Sequence, residues 1–192
     1  FRKKMSEEAF SETAYYDSIV SNYFNNINKN PFPNKKIIYG KLIEKLRYGE
    51  NPHQNGAIYS ADKNLGIVQL HGKKLSYNNY NDIFSALTIS KSFPKNTGTV
   101  IIKHSNPCGA SISNNHLNSY YSALACDPIS AYGGIISFNY KITKKLAIQI
   151  SKIFFEVIIA NGFEKSALKI LKRKKNLRII VSENLITSNK YS

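Results

Sequence analysis

The chain has 192 residues, 42% of them hydrophobic, and a formal net charge of +15. That is enough apolar chain for one good core, or for a domain plus part of another, and it rules out wholesale disorder. No apolar run approaches the roughly 20 residues that a bilayer-crossing helix needs, and Phe1–Met5 (FRKKM) lacks the apolar stretch of a signal sequence.

The charge invites an anionic partner. Lysine, asparagine and isoleucine are all used heavily, however, and the Lys35–Lys36, Lys144–Lys145 and Lys172–Lys175 runs read as solvated surface. No recognisable nucleic-acid module accompanies them, so neither a nucleic acid nor a membrane is the expected partner. Cys108 and Cys126 show no CxxC spacing and fit a reducing compartment, the cytoplasm, rather than a disulfide framework. A chain that starts at Phe1 and closes on the polar Ser188–Ser192 is expected to be a segment of something longer.

In chain order, Ser6–Asn25 reads as an amphipathic helix with Phe10, Ala14, Tyr15, Ile19, Tyr23 and Phe24 on one stripe, Glu7 and Glu8 favouring its amino end. The twice-proline stretch at 28–37 reads as a linker, which sets residues 1–27 apart from 38–192. Asn81 or Asp82 can cap a helix carrying Ile83, Phe84, Leu87 and Ser90. Thr99–Ile102 is a short buried strand, Leu117–Leu124 a helix, and Ile135–Phe138 a second strand. Thr143 caps a helix through Leu146, Ile150, Ile153 and Phe154. Val157–Ala160, Glu164–Lys174 and Leu177–Val181 follow as strand, helix and strand. Such alternation predicts an α/β fold, a layered sheet with flanking helices.

Four stretches carry chemistry. Arg47–Gln54 (RYGENPHQ) sets a guanidinium suited to phosphate or carboxylate beside Tyr48, which can stack or donate, though a plain structural loop reads equally well. Val100–Gly109 (VIIKHSNPCG) delivers Lys103 and His104 to the carboxyl end of a strand, where open α/β sheets usually hold ligands. Neighbours on a strand face opposite ways, so the two can share a substrate only if the strand ends there. Asn106–Pro107 is expected to make that turn, and Gly109 to let backbone pass close to a ligand. A neighbouring ammonium disfavours a second positive charge, leaving His104 able to accept a proton while Lys103 stabilises a developing oxyanion. The alternative is a basic strand end facing water. In Asp127–Gly134 (DPISAYGG) the paired glycines mark either close approach to a ligand or a tight turn. Glu156 opens the buried strand at Val157, and either receives a ligand hydroxyl or amide or pairs with a lysine.

Several chemistries drop out. There is no GxxxxGK[ST] or GxGxxG loop. Pro107–Cys108 is not followed by the second thiolate of a zinc deaminase, and His53, His71 and His116 lack ligand spacing, so no metal is expected.

Five collinear strings resemble the bifunctional purine biosynthesis family that joins AICAR transformylase to IMP cyclohydrolase. They are LRYGENPHQ, QLHGKKLSYNNYND, VIIKHSNPCGA, DPISAYGGIISFN and FEVIIANGFEKSALKILKRKKNLRI, preceded by SEEAFSETAYYDSIVSNYF, which is similar to the helix closing the cyclohydrolase domain. The resemblance implies a cytidine-deaminase-like, zinc-free half of the transformylase domain, with most of the cyclohydrolase domain and the second transformylase half outside this chain. It implies formyl transfer from 10-formyltetrahydrofolate, a co-substrate, to the 5-amino group of AICAR, in a homodimer. By position, His104 matches the proton acceptor, Lys103 the transition-state stabiliser, and Arg47, Tyr48, Gly133 and Glu156 the AICAR-contacting residues. A basic RNA-binding module and an inactive copy of such an enzyme are the competing readings.

Overall fold

A computed structural model describes residues 1–62 and 64–182; the terminal Ser188–Ser192 stretch lies outside the described residues. The chain divides into two compact units, residues 1–45 with 57–65, and residues 46–56 with the chain from Gly66 onward.

The first unit holds helix α1 (Arg2–Ile27) and an antiparallel pair, β1 (Lys41–Lys45) and β2 (Ala57–Ser60). Because α1 begins at Arg2, Glu7 and Glu8 fall beyond its first turn rather than in it. Its apolar stripe is largely open: it buries no residue, and Phe10 is 76% exposed. The helix is tied locally by Tyr15, edge-on to Tyr39 and beneath the Lys41 amine, and by Asn22, whose Nδ2 donates to the Ile37 carbonyl.

The second unit is a six-stranded sheet in the order β3-β8-β7-β6-β4-β5. Its strands are β3 (Ile67–His71), β4 (Gly98–Lys103), β5 (Asn106–Ile112), β6 (Ile135–Ile142), β7 (Val157–Phe163) and β8 (Arg178–Ser182). β6, β7 and β8 run parallel; β3, β4 and β5 pair antiparallel. The helices are α2 (Tyr77–Ser92), α3 (His116–Cys126), α4 (Pro128–Ala131), α5 (Lys144–Ile150) and α6 (Lys165–Leu171). Helices lie on both faces. Ser90 of α2 donates to Ser137 on one side, while on the other, one residue out of phase, Thr99 bonds Ser119 of α3.

The main core joins Ile101, Ile136, Ile158 and Ile179, one from each of four adjacent strands, to Tyr120 of α3, Ile150 of α5 and Leu171 of α6. Each such fully buried side chain contributes roughly 1.5–3 kcal/mol. The α/β architecture, a layered sheet with flanking helices, is thus as expected, and the sheet is mixed in strand direction. Among the helices of this unit, three boundaries differ by three residues or more. α2 starts five residues early, where Ser76 and Asn79 form a reciprocal capping box; α5 stops at Ile150, before Ile153 and Phe154; and α6 stops at Leu171.

Buried polar groups near the amino end of β4 are bonded within the protein. Asn139 Oδ1 accepts the N–H groups of Thr97 and Gly98 at 3.0 and 2.8 Å, and its Nδ2 donates to the Pro94 carbonyl at 2.8 Å. The Thr99 hydroxyl meets those of Ser119 and Tyr140 at 2.8 and 2.7 Å, and Tyr140 in turn donates to the His116 carbonyl.

Candidate active site

The sequence of β4, GTVIIK, is buried along its length until Lys103, which is half-buried. The chain then reverses at once: His104 and Ser105 have φ of 54° and 62°, and Lys103 pairs directly with Asn106. Two positive-φ residues between paired strands make a two-residue hairpin turn of the primed kind. For L-residues other than glycine each such conformation costs roughly 1–2 kcal/mol. The turn was expected at Asn106–Pro107, and that expectation is corrected. Those residues begin β5, where the missing proline N–H is tolerated because β5 is the edge of the sheet. The strand ends at Lys103, so side-chain alternation breaks at His104, as sharing one substrate demands.

Gly109 does not leave room for a ligand. A Cβ there would collide with the Ala123 carbonyl, so its smallness serves the approach of α3 to β5. Cys108 nearby is half-buried and burial pushes its thiol up, which keeps it a poor nucleophile near neutrality.

Strand register brings the remaining residues to the same end of the sheet. Ile102 of β4 lies opposite Ile135, Ile135 opposite Val157, and Val157 opposite Arg178. Gly133 and Glu156 precede the second and third of that row, so Lys103, His104, Gly133 and Glu156 gather along one rim. Of the strands that carry these residues, only β4 presents its carboxyl end to the rim; the parallel strands β6, β7 and β8 present their amino ends to it. The usual ligand position in parallel sheets is therefore not the reason these residues meet, and the antiparallel insertion of β4 is.

Along the rim Lys103 Nζ donates to the Tyr132 carbonyl at 2.8 Å, one residue before Gly133. Gly133 has φ +75°, a conformation that favours glycine; its N–H donates to the Phe154 carbonyl at 2.8 Å. The space a Cβ would take there is open apart from the Phe154 ring 3.6 Å away. Asp127 caps α4 through the Ser130 N–H; hydrogen bonding to Ser130, and in lesser part the Lys103 ammonium, hold its carboxyl below the usual range. Glu156 pairs with arginine rather than lysine: its Oε2 lies 3.7 Å from the Arg178 guanidinium and accepts a 3.0 Å bond from Asn79 Nδ2. Its side chain is still 44% exposed. His104 is exposed, and its backbone carbonyl accepts from Asn106 Nδ2.

Arg47 and Tyr48 lie on the 46–56 loop, in the same compact unit as this rim. The loop closes on itself through Leu46 N–H to Gly56 and Gly49 N–H to Gln54, with the Arg47 guanidinium 5.9 Å from the Tyr48 ring centre. No hydrogen bond or ion pair joins these two side chains to Lys103 or His104 among the described residues. Sequence reasoning missed Asn79, Asp82 and Arg178. The Ser76–Asn79 spacing of a capping box was the available signal for the first. Among the described residues no group of three or more histidine, cysteine or acidic side chains is placed to hold a metal, and no helix is long and apolar enough to cross a membrane.

The family model described as AICARFT/IMPCHase bienzyme matches residues 1–191. The bifunctional purine biosynthesis protein PurH of Prochlorococcus marinus (strain MIT 9515) is 45% identical over 192 residues, covering 94% of this chain and 37% of its own length. That of Brucella ovis is 44% identical, covering 96% and 36%, and that of Thermoanaerobacter sp. (strain X514) is 43% identical, covering 92% and 35%. The chain thus spans little more than a third of the relatives it matches. A match that runs from residue 1 to residue 191 and takes in every segment of the rim places the chain in the AICARFT/IMPCHase bienzyme family.

Proposed function

We propose that this chain supplies the nucleotide-binding and proton-transfer side of a formyl transfer from 10-formyltetrahydrofolate to the 5-amino group of AICAR. The observation that carries the reading is the rim itself: a basic pair on a sharp turn, a glycine turn and an acid, brought together by strand register from three separate parts of the sequence. Arg47 and Tyr48 would hold the phosphate and ribose, and Gly133 and Glu156 the base and its carboxamide.

The reaction asks for two things from the protein. The amine of AICAR is a weak nucleophile because its lone pair is delocalised into the ring. As its nitrogen bonds to the formyl carbon, the His104 imidazole takes the amine proton, while the Lys103 ammonium stabilises charge gathering on the formyl oxygen. The bond from that carbon to the folate nitrogen then breaks, and the folate nitrogen leaves with a proton. No metal enters the step. Lys103 already has its amine oriented, by the Tyr132 carbonyl, beside the glycine turn.

The same reading assigns residues 1–27 to the end of a cyclohydrolase domain, 28–37 to a linker and 38–192 to the first part of a cytidine-deaminase-like, zinc-free transformylase domain. The open apolar stripe of α1 supports the first assignment. The complete protein would act as a cytoplasmic homodimer that also cyclises the product to IMP, and this chain by itself would be inactive. The test is steady-state formyl transfer by the complete natural protein. His104→Ala is expected to lower turnover by about 10²–10⁴-fold while calorimetry shows AICAR still bound. Turnover near wild type would remove His104 from the role of base.

A further inference from the structure

The strained turn that carries His104 has a fastener outside the hairpin. Asp82, on the second turn of α2 and half-buried, accepts the Ser105 backbone N–H through Oδ1 at 2.7 Å, and the Ser105 hydroxyl lies 3.4 Å from the same oxygen. A carboxylate accepting from an amide at that distance is among the stronger hydrogen bonds a protein makes. The other tie on the turn, Asn106 Nδ2 to the His104 carbonyl, is local to the hairpin and fixes nothing relative to the rest of the sheet. Asp82 belongs to the same helix as Asn79, which grips Glu156.

We infer that Asp82 is a positioning residue for the reaction: by holding the left-handed Ser105, it fixes the direction in which the His104 imidazole leaves the end of β4, and α2 thereby sets the proton acceptor and the Glu156 carboxylate from one rigid element. Asp82 need not touch substrate. The inference rests on the formyl-transfer reading for its consequence, and on the turn geometry alone for its structural part.

The two parts separate experimentally in the complete natural protein. Asp82→Ala is expected to lower kcat for formyl transfer by about 10²-fold, the cost of a roughly 1 Å misplacement, with the KM for AICAR little changed. The Ser105 amide should lose its protection from hydrogen exchange in the same variant. Asp82→Asn keeps an oxygen acceptor and should recover both. The double variant Asp82→Ala with Ser105→Gly should recover kcat but not the amide protection, because glycine adopts positive φ without strain while the residue-105 N–H still lacks its acceptor; it also keeps the test open if the single alanine variant does not fold. Wild-type kcat in Asp82→Ala, an unchanged Ser105 exchange rate, or equal damage from alanine and asparagine would each overturn the inference. If wild type performs no formyl transfer, the reading of the reaction falls, and Ser105 exchange alone decides whether Asp82 holds the turn.

Discussion

The two ends of β4 are both rich in polar groups, and they use them in opposite ways. At the amino end, Asn139 satisfies two backbone N–H groups and donates to the Pro94 carbonyl, and the Thr99, Ser119 and Tyr140 hydroxyls close on one another; all four of these residues are at most 4% exposed. At the carboxyl end, Lys103 spends one of three ammonium protons on Tyr132, and Glu156 holds both Asn79 and Arg178 through Oε2. Buried polar groups must find partners inside the protein, or the fold loses the free energy of desolvating them. Groups on an accessible rim can be satisfied by water and stay free to exchange it for a ligand. The contrast separates polarity that builds the sheet from polarity that, on the proposed reading, meets a ligand.

The comparison can be broken from either end. The largest effect is expected from Lys103→Met, which on the proposed mechanism lowers formyl transfer by about 10²–10³-fold and leaves the melting temperature where it was. A matching fall in melting temperature would move Lys103 to the sheet-building group. Asn139→Ala should do the reverse, destabilising the fold by about 2–4 kcal/mol in urea titration, because it strands two buried N–H groups. A loss under about 0.5 kcal/mol would show that water replaces it.

A smaller effect sharpens the same division by pH. Burial pushes the Tyr140 and Tyr120 phenols up from 10.0 to about 12. The folded chain therefore holds these protons more tightly than the unfolded chain does. Their contribution to stability is complete below pH 10 and is lost as pH rises through about 12. Denaturant midpoints should fall over that window, and Tyr140→Phe should make the fall shallower; a flat profile would mean the phenols ionise as freely as in the unfolded chain.

The parts of this molecule that could be read from residues alone are those where one local rule dominates. TVII and VIIA are β-branched and apolar enough to read as buried strands, and Thr143 caps α5 as its type and position suggest. β1, β2 and β3 carried no such signal, being only four or five residues long and without a fully buried residue. The α2 start was hidden because Asn79, not Glu or Gln, completes its capping box. The turn was misplaced because His–Ser lacks the glycine or asparagine that usually marks positive φ, while Pro107 suggested a turn and sits in an edge strand. At the site, type and context single out Lys103, His104, Gly133 and Glu156 but leave a water-facing strand end, a tight turn and a plain ion pair as alternatives, and only the family resemblance gives them roles. Asp82 and Arg178 are not singled out, and capping-box spacing marks Asn79 only as a helix cap, since their contacts on the rim arise from a cross-sheet register and a helix overhang.

Among the described residues β5 pairs with one neighbour only, β4, and the corner bearing His104 joins the two. Outer strands are the first to come loose when a sheet is warmed. The corner bearing His104 is consequently fastened to an easily frayed margin of a well-packed body, so on the proposed reading heat should remove formyl transfer while most of the core still stands.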